Sequence, residues 1–259
     1  MTHASDGWPS AILVAIWALT IIFAIMSSQR GRQFFIRRIP GLNAIDEALG
    51  RATEMGRPII LCPGQNDVKD SISPIQALAI FSYIIKSAAK FGNKVFLPCS
   101  APGVYTIAQE VVQDSYAAAG KPELYDPDIV QFISDRQFAY AAGVAGMIQR
   151  EKVAANFMFG DFYAESLILA DSGQAVGAIQ VAATIQTTQI PFFIAACDYT
   201  LIGDEFYAAT AYISREPTLL GSLVGQDIGK LSMLIMVVIG SVCMSIWGPD
   251  AAFVKWFTN

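Results

Sequence analysis

From residue 9 to residue 26 the chain reads PSAILVAIWALTIIFAIM, a stretch without a single charge. With Trp8 ahead of it, the run approaches the roughly 20 residues that a helix needs to cross about 30 Å of hydrocarbon. A second run, 231–247 (LSMLIMVVIGSVCMSIW), is shorter and carries Ser232, Ser241 and Ser245. Those hydroxyls can back-bond to helix carbonyls and so tolerate an apolar surrounding. Lys230 stands at its entry, Trp247 and Trp256 near its exit, and Gly248-Pro249-Asp250 stops it. The alternative for this run is a buried core helix, which would need a partner that the rest of the pattern does not offer. The pattern therefore predicts membrane helices at 9–27 and 231–247.

Between the two runs the periodicity changes. Ile39-Pro40-Gly41 breaks the chain, Asn43 can cap a helix, and Asp46 falls in its first turn. Ile45, Ala48, Leu49, Ala52 and Met55 then recur at spacings of three and four, the signature of one apolar helix face. Short apolar runs follow in alternation with helical stretches. The runs at 58–62, 94–99, 128–134, 153–159 and 191–197 read as strands. The stretches 73–91, 104–119, 136–152, 162–189 (with a break near Gly173) and 205–214 read as helices. Ala139, Ala142, Gly143 and Gly146 predict that the helix over 136–152 lies close on the sheet. Apolar strands alternating with amphipathic helices mean a mostly parallel sheet covered on both faces. The expected fold class is α/β, a doubly wound Rossmann-like or flavodoxin-like sheet flanked by N- and C-terminal transmembrane helices. Strand order is not readable from the pattern.

The resulting division is an exterior tail at 1–8, a transmembrane helix at 9–27, and a basic juxtamembrane segment with an amphipathic helix at 28–57. The α/β domain takes 58–216, a connector 217–230, the second transmembrane helix 231–247 and a second exterior tail 248–259. Arg30, Arg32, Arg37 and Arg38 follow the first helix, whereas the tail before it has no Lys or Arg. The positive-inside rule then puts both termini outside and the α/β domain in the cytoplasm, on an inner (cytoplasmic) membrane. A cleaved signal peptide would place its basic residues first and a small-residue cleavage site afterwards, the reverse of this arrangement.

Composition sharpens this picture. Hydrophobic residues make up 54% of the 259 and charged residues 15%, against about 25% charged in an ordinary soluble chain. The net charge of −5 builds in no attraction for polyphosphate, so a nucleic-acid partner is not expected. The four cysteines, Cys62, Cys99, Cys197 and Cys243, lack CxxC pairing and fit a reducing compartment. His3 is the only histidine, which excludes a Ser-His-Asp triad, a Cys-His pair, a HExxH zinc helix and a two-His iron site.

In a doubly wound sheet, ligands bind beyond the carboxyl ends of the strands. The loop after the first run reads CPGQNDVKDS, with one glycine where a dinucleotide site wants GxGxxG. No GK[ST] and no GxSxG occurs. Carboxylates do collect at the expected strand ends: Asp67, Asp135, Asp161, Glu165, Asp198, Asp204 and Glu205. Of these, Asp67, Asp135, Asp161, Glu165, Asp198 and Glu205 are the candidate ligand-binding set. Converging acids can hold Mg²⁺ or Ca²⁺, but acids also favour helix N-termini for capping and dipole reasons. The second reading carries more weight, and neither a metal nor a cofactor is expected. Cys62, Cys99 and Cys197 each end an expected strand; structural burial outweighs a thiolate site for them. Gly221, Gly225 and Gly229 recur at every fourth residue before the second apolar run. On a continuous helix they would form a helix-packing face; the preferred reading is a flexible connector after Pro217.

Four stretches carry a family resemblance. They are RRIPGLNAIDEALGRATEMGRP (37–58), GDFYAES (160–166), ACDYTLIGDEFYAATAYISREP (196–217) and GSLVGQDIGK (221–230). The chain resembles a family of bacterial membrane proteins of unknown function. The resemblance implies a membrane-anchored domain and brings no catalytic residues with it.

The expected function is that of a membrane-anchored structural or assembly subunit, acting through protein–protein contacts in a membrane complex or homo-oligomer. Its expected partners are the bilayer and other subunits or copies of itself. The rival is a membrane-tethered enzyme or a small-ligand or metal sensor using the crevice at the strand ends. A transporter is disfavoured, because neither apolar run holds an internal charge. Nor does 175–189, interrupted by Gln180, Gln186 and Gln189, count as a third span.

Overall fold

The computed structural model describes residues 8–32, 40–214 and 216–248. Arg37, Arg38 and most of both tails lie outside the described residues. The chain divides into two units, 37–214 and a unit made from 1–36 with 215–259.

The first unit begins with α2 (Pro40–Met55), which starts three residues before Asn43, with Pro40 in its first turn. Asn43 therefore sits exposed inside the helix and does not cap it. Ile45, Ala48, Leu49 and Ala52 are buried as the spacing predicts, whereas Met55 is exposed. Then come β1 (Ile59–Gly64), α3 (Ser73–Phe91), β2 (Val95–Cys99), α4 (Pro102–Ala118) and two short 3-10 turns. The rest is β3 (Val130–Phe132), α5 (Gln137–Glu151), β4 (Ala155–Asp161), α6 (Glu165–Ala175), β5 (Ile179–Thr184), α7 (Ile190–Ala196), β6 (Tyr199–Ile202) and α8 (Asp204–Ser214).

All six strands are parallel, in the order β3-β2-β1-β4-β5-β6. This is the doubly wound order of Rossmann folds, with its switch point between β1 and β4. One core cluster joins α2, α3, α4 and α8 to the side chains of Ile59, Leu61, Val95 and Leu97. The other joins α5, α6 and α7 to Ile60, Cys62, Phe96 and Met158. Strand alternation accounts for the division, since successive residues point to opposite faces.

Two expectations fail in the last third of the sheet. The run 191–197 is not a strand: Pro191 opens α7, and the strand lies earlier, within the expected long helix, as β5. Gln180 disguised it. This residue is 2% exposed, and its amide donates to the carbonyls of Ala170 (2.9 Å) and Ala196 (3.2 Å) while accepting from Asn156 (3.2 Å). A buried polar group is tolerated in a strand when its hydrogen bonds are filled in this way. Of the small residues of α5, Gly143 packs on Ile133 just past β3, where a Cβ would come within 2.5 Å of the Ile133 Cγ2. Ala139, Ala142 and Gly146 are exposed, and Tyr140, Val144, Met147 and Ile148 meet the sheet.

Arg57 braces the amino edge of the sheet. Its guanidinium donates to the carbonyls of Lys152, Val153 (3.3 Å) and Val176 (3.0 Å), which lie just past the C-terminal ends of α5 and α6. A cation there also meets the negative ends of both helices. Arg57→Ala is expected to cost about 1–3 kcal/mol, read as a lower midpoint in urea unfolding followed by circular dichroism. An unchanged midpoint would rule the brace out.

The second unit consists of α1 (Trp8–Gln29) and α9 (Pro217–Trp247), both long and apolar enough to cross a membrane. The expected connector at 217–230 is not a separate segment; it forms the first part of α9. Its glycines explain why. A Cβ at Gly221 would come within 2.5 Å of the Ile25 Cα, and one at Gly225 within 2.8 Å of the Ile21 Cα. The two helices therefore touch backbone to backbone, in antiparallel register. Trp17 Nε1 donates to Ser232 Oγ at 3.0 Å farther along the same contact. Gly229 meets nothing within 4 Å, so only two of the three glycines serve the packing.

Candidate functional site

The crevice of interest lies over the carboxyl ends of β1 and β4. Here the two backbones approach closely, because Gly64 (φ +88°) and Gly160 (φ +133°) adopt conformations that L side chains avoid. The register shifts between Cys62 and Gly64, and Gln65 N–H donates to the Asp161 carbonyl at 2.8 Å.

Asp161, the last residue of β4, is wholly buried. Its Oδ2 accepts from Asn66 Nδ2 at 3.0 Å. Its Oδ1 accepts from Ser73 Oγ and from Gln186 Nε2, each at 3.2 Å. One carboxylate thus ties together the β1–α3 loop, the start of α3 and the β5–α7 loop. Tyr163 adds a hydrogen bond from its hydroxyl to Asn66 Oδ1 at 3.2 Å. Burial, above all, raises the Tyr207 hydroxyl pKa; a hydrogen bond with Ser73 opposes this, and nearby Asp161 adds to it.

The remaining candidate acids divide by place. Glu165 is wholly buried at the first position of α6; it accepts from Tyr163 N–H at 2.9 Å and from the Gln137 side chain at the start of α5. Asp67 accepts from Val68 N–H at 2.7 Å and lies against Gly103 at the start of α4, where a Cβ would come within 2.1 Å of its Oδ1. Glu205 opens α8 and is exposed, its contact to Ile202 N–H being long at 3.5 Å. Asp135 is exposed at the β3 margin of the sheet. Asp198 is not in the crevice at all. Because 191–197 is a helix, Asp198 precedes β6 and accepts from Gln180 N–H at 2.7 Å, at the amino edge. With Cys197 and Arg51 it lines a cavity of ≈ 430 Å³ there.

The arrangement has a simple electrostatic reading. Helix N-termini over the carboxyl edge are where a doubly wound fold receives a ligand phosphate. In this chain α3, α4 and α6 begin beside Asp161, Asp67 and Glu165. The partial positive charge of each helix start is met by a carboxylate of the protein itself. Among the described residues no group of three or more His, Cys, Asp or Glu is placed to hold a metal ion.

The three thiols do not share one site, since Cys197 lies at the amino edge beside Asp198. Cys62 belongs to the α5–α7 side of the sheet and Cys99 to the α3–α4 side. Burial pushes the Cys62 thiol up to about 12, and it raises Cys99 as well. Cys197 is likewise pushed up to about 12 by burial, with Asp198 adding to it. At pH 8 the thiolate fraction of Cys62 is then smaller by about a thousandfold than at an ordinary cysteine. Iodoacetamide at pH 8 is expected to leave Cys62 and Cys99 unmodified in the folded protein and to label both in urea, as mass spectrometry would read. Rapid native labelling would contradict this burial.

Sequence reasoning named Asp161 and Glu165 but missed Asn66, Ser73, Gln137 and Gln186, their partners. Three of the four are amides, which carry no motif of their own. The density of amide and hydroxyl residues in 65–73 and 186–189 could have pointed to Asn66, Ser73 and Gln186, whereas Gln137 carried no such signal.

Fold and site together define a Rossmann-type α/β domain joined to a pair of long apolar helices, with its switch-point crevice closed by internal carboxylates. The chain belongs to the family described as "Domain of unknown function (DUF6754)", whose model matches residues 3–254. No curated protein and no solved structure matches the chain. The family match spans both apolar helices as well as the domain between them.

Proposed function

We infer that the chain is a membrane-anchored structural or assembly subunit that works through protein–protein contacts. In this reading α1 and α9 cross the bilayer, Arg30 and Arg32 mark the cytoplasmic side, and the α/β domain faces the cytoplasm. One contrast supports the reading most directly: the switch-point crevice is filled by its own hydrogen bonds, while large apolar side chains stand exposed around it. Ile72, Phe132 and Phe138 on the carboxyl edge are 55%, 45% and 63% exposed. Phe192 and Ile194 on α7 add 46% and 57%. Such side chains on a folded domain mark contact surfaces more often than ligand sites. Extraction in mild detergent followed by affinity capture should return a defined oligomer or stoichiometric partners. Recovery of a solitary monomer would remove the proposal. Alkaline carbonate washing tests the anchoring by itself, since a bilayer-spanning chain stays in the pellet.

One observation favours a second reading, a small-ligand sensor. Gln65 Nε2, in the β1–α3 loop, is buried without a hydrogen-bond partner, and such donors are rare in a finished structure. A ligand carbonyl or hydroxyl in the crevice would satisfy it. Thermal-shift screening of the detergent-solubilised chain against nucleotides and divalent cations tests this. A clear shift lost in Gln65→Ala would favour the sensor, and no shift would favour the assembly subunit.

A further inference from the structure

The amino edge of the sheet carries another cavity, on the β3 side and away from the one at Asp198. It measures ≈ 490 Å³ and opens beneath the starts of β2 and β3, a size that suits a small organic molecule. Its floor is apolar: Val95, Phe96, Tyr116 and Ile129 line it and are all buried. Leu124, in the 3-10 turn Pro122–Leu124, lines it too and is 44% exposed.

Charges of both signs stand round this floor. Lys94 precedes β2, and its Nζ lies 4.6 Å from the centre of the Phe96 ring. That cation–π contact holds the ammonium over the floor. Arg150 belongs to the last turn of α5, and Asp126 and Asp128 come from the chain just before β3. The Tyr116 hydroxyl pKa is raised by burial first and by Asp126 second, which places the Asp126 charge close to the floor. Glu151 also lines the cavity, with its carboxylate engaged by Arg150 Nε at 3.0 Å.

The remaining opposite charges do not meet. Among the described residues no carboxylate comes within ion-pair range of Lys94, and no cation within range of Asp126 or Asp128. Opposite charges that line one space yet stay apart leave room for a molecule that carries both. The excess of acids over bases in the lining opposes a polyphosphate, and the two bases oppose a bare divalent cation. A neutral apolar molecule would cover the floor and leave the rim charges unmatched. Finally, α3 and α5 end here, at Gly92 and Glu151. Their carbonyl ends add partial negative charge, which favours an ammonium group.

We propose that this cavity binds a zwitterion with an apolar body, of the apolar amino-acid or dipeptide class. Its carboxylate meets Lys94 and Arg150, its ammonium meets Asp126 and Asp128, and its apolar part lies on Phe96, Tyr116 and Leu124. The site involves neither apolar helix and lies at the opposite edge of the sheet from Gln65. It therefore stands apart from both the anchoring and the switch-point crevice.

Equilibrium dialysis of the full chain in mild detergent tests this with three labelled probes: phenylalanine, leucine and the dipeptide phenylalanyl-leucine. At least one is expected to bind saturably. The N-acetyl and amide forms of the bound probe, which lack the ammonium and the carboxylate respectively, should each bind at least about tenfold more weakly. Lys94→Ala and Asp128→Asn should each weaken binding by about the same factor. Their circular dichroism should match wild type, because both side chains are exposed. Gln65→Ala should bind as wild type does. No saturable binding of any probe, equal binding of the blocked forms, or binding that survives Lys94→Ala and Asp128→Asn together overturns the proposal. Binding lost in Gln65→Ala places the molecule in the switch-point crevice and overturns it as well.

Discussion

Gly160→Ala is expected to be the most damaging single-methyl change in the α/β domain, costing about 3–5 kcal/mol, a large share of the stability of an ordinary domain. Two effects add. The residue holds φ +133°, and a Cβ there would stand 2.3 Å from the Pro63 carbonyl oxygen. That neighbour is backbone, so no rotamer change can relieve the overlap. The same contact viewed from the other strand is Gly64, where a Cβ would meet the Asp161 carbonyl oxygen at 2.4 Å. Relief would therefore require parting β1 from β4, the central pair of the sheet. The four tryptophans, Trp8, Trp17, Trp247 and Trp256, all belong to the terminal unit. Tryptophan emission consequently follows that unit, and far-ultraviolet circular dichroism must be used to follow the domain. Gly146→Ala is the control. Gly146 sits exposed in α5 with nothing within 4 Å of its would-be Cβ, and alanine there should add up to about 1 kcal/mol of stability through helix propensity. A Gly160→Ala variant that unfolds with the wild-type midpoint would refute the backbone contact.

Asp161→Ala comes second, at about 2–4 kcal/mol, because it strands donors from Asn66, Ser73 and Gln186 in a buried place. Asp161→Asn should recover little. An amide offers one acceptor oxygen and directs its own N–H groups at donors that already point inward. The effect should also be local. Hydrogen exchange is expected to quicken in 65–73 and 185–189, the segments the carboxylate holds, before it quickens in β1 and β4. If both variants kept the native exchange pattern in those loops, Asp161 would not be their tie.

These two positions show which parts of the site were legible in the sequence. Asp161 and Glu165 were visible as acids ending a strand and opening a helix, and the dipole argument for such acids suits where they lie. The donors around Asp161 were invisible, because an asparagine, a serine and a glutamine acquire meaning only when folding brings 66, 73 and 186 to one point. Asp198 was misplaced for a different reason. Proline and phenylalanine in PFFIAAC suit a short strand as well as a helix opened by proline, and one wrong element moved the acid to the opposite edge of the sheet.

The fold class, the two apolar helices and the buried face of α2 followed from periodicity alone. Burial of a stripe or a run is a local demand that every neighbouring residue repeats, so the pattern records it many times over. Strand order, the closure of the crevice and the use of Gly221 and Gly225 against α1 appeared only with the tertiary structure. Each depends on a contact between segments far apart in the chain, made once and by residues whose types are ordinary anywhere else.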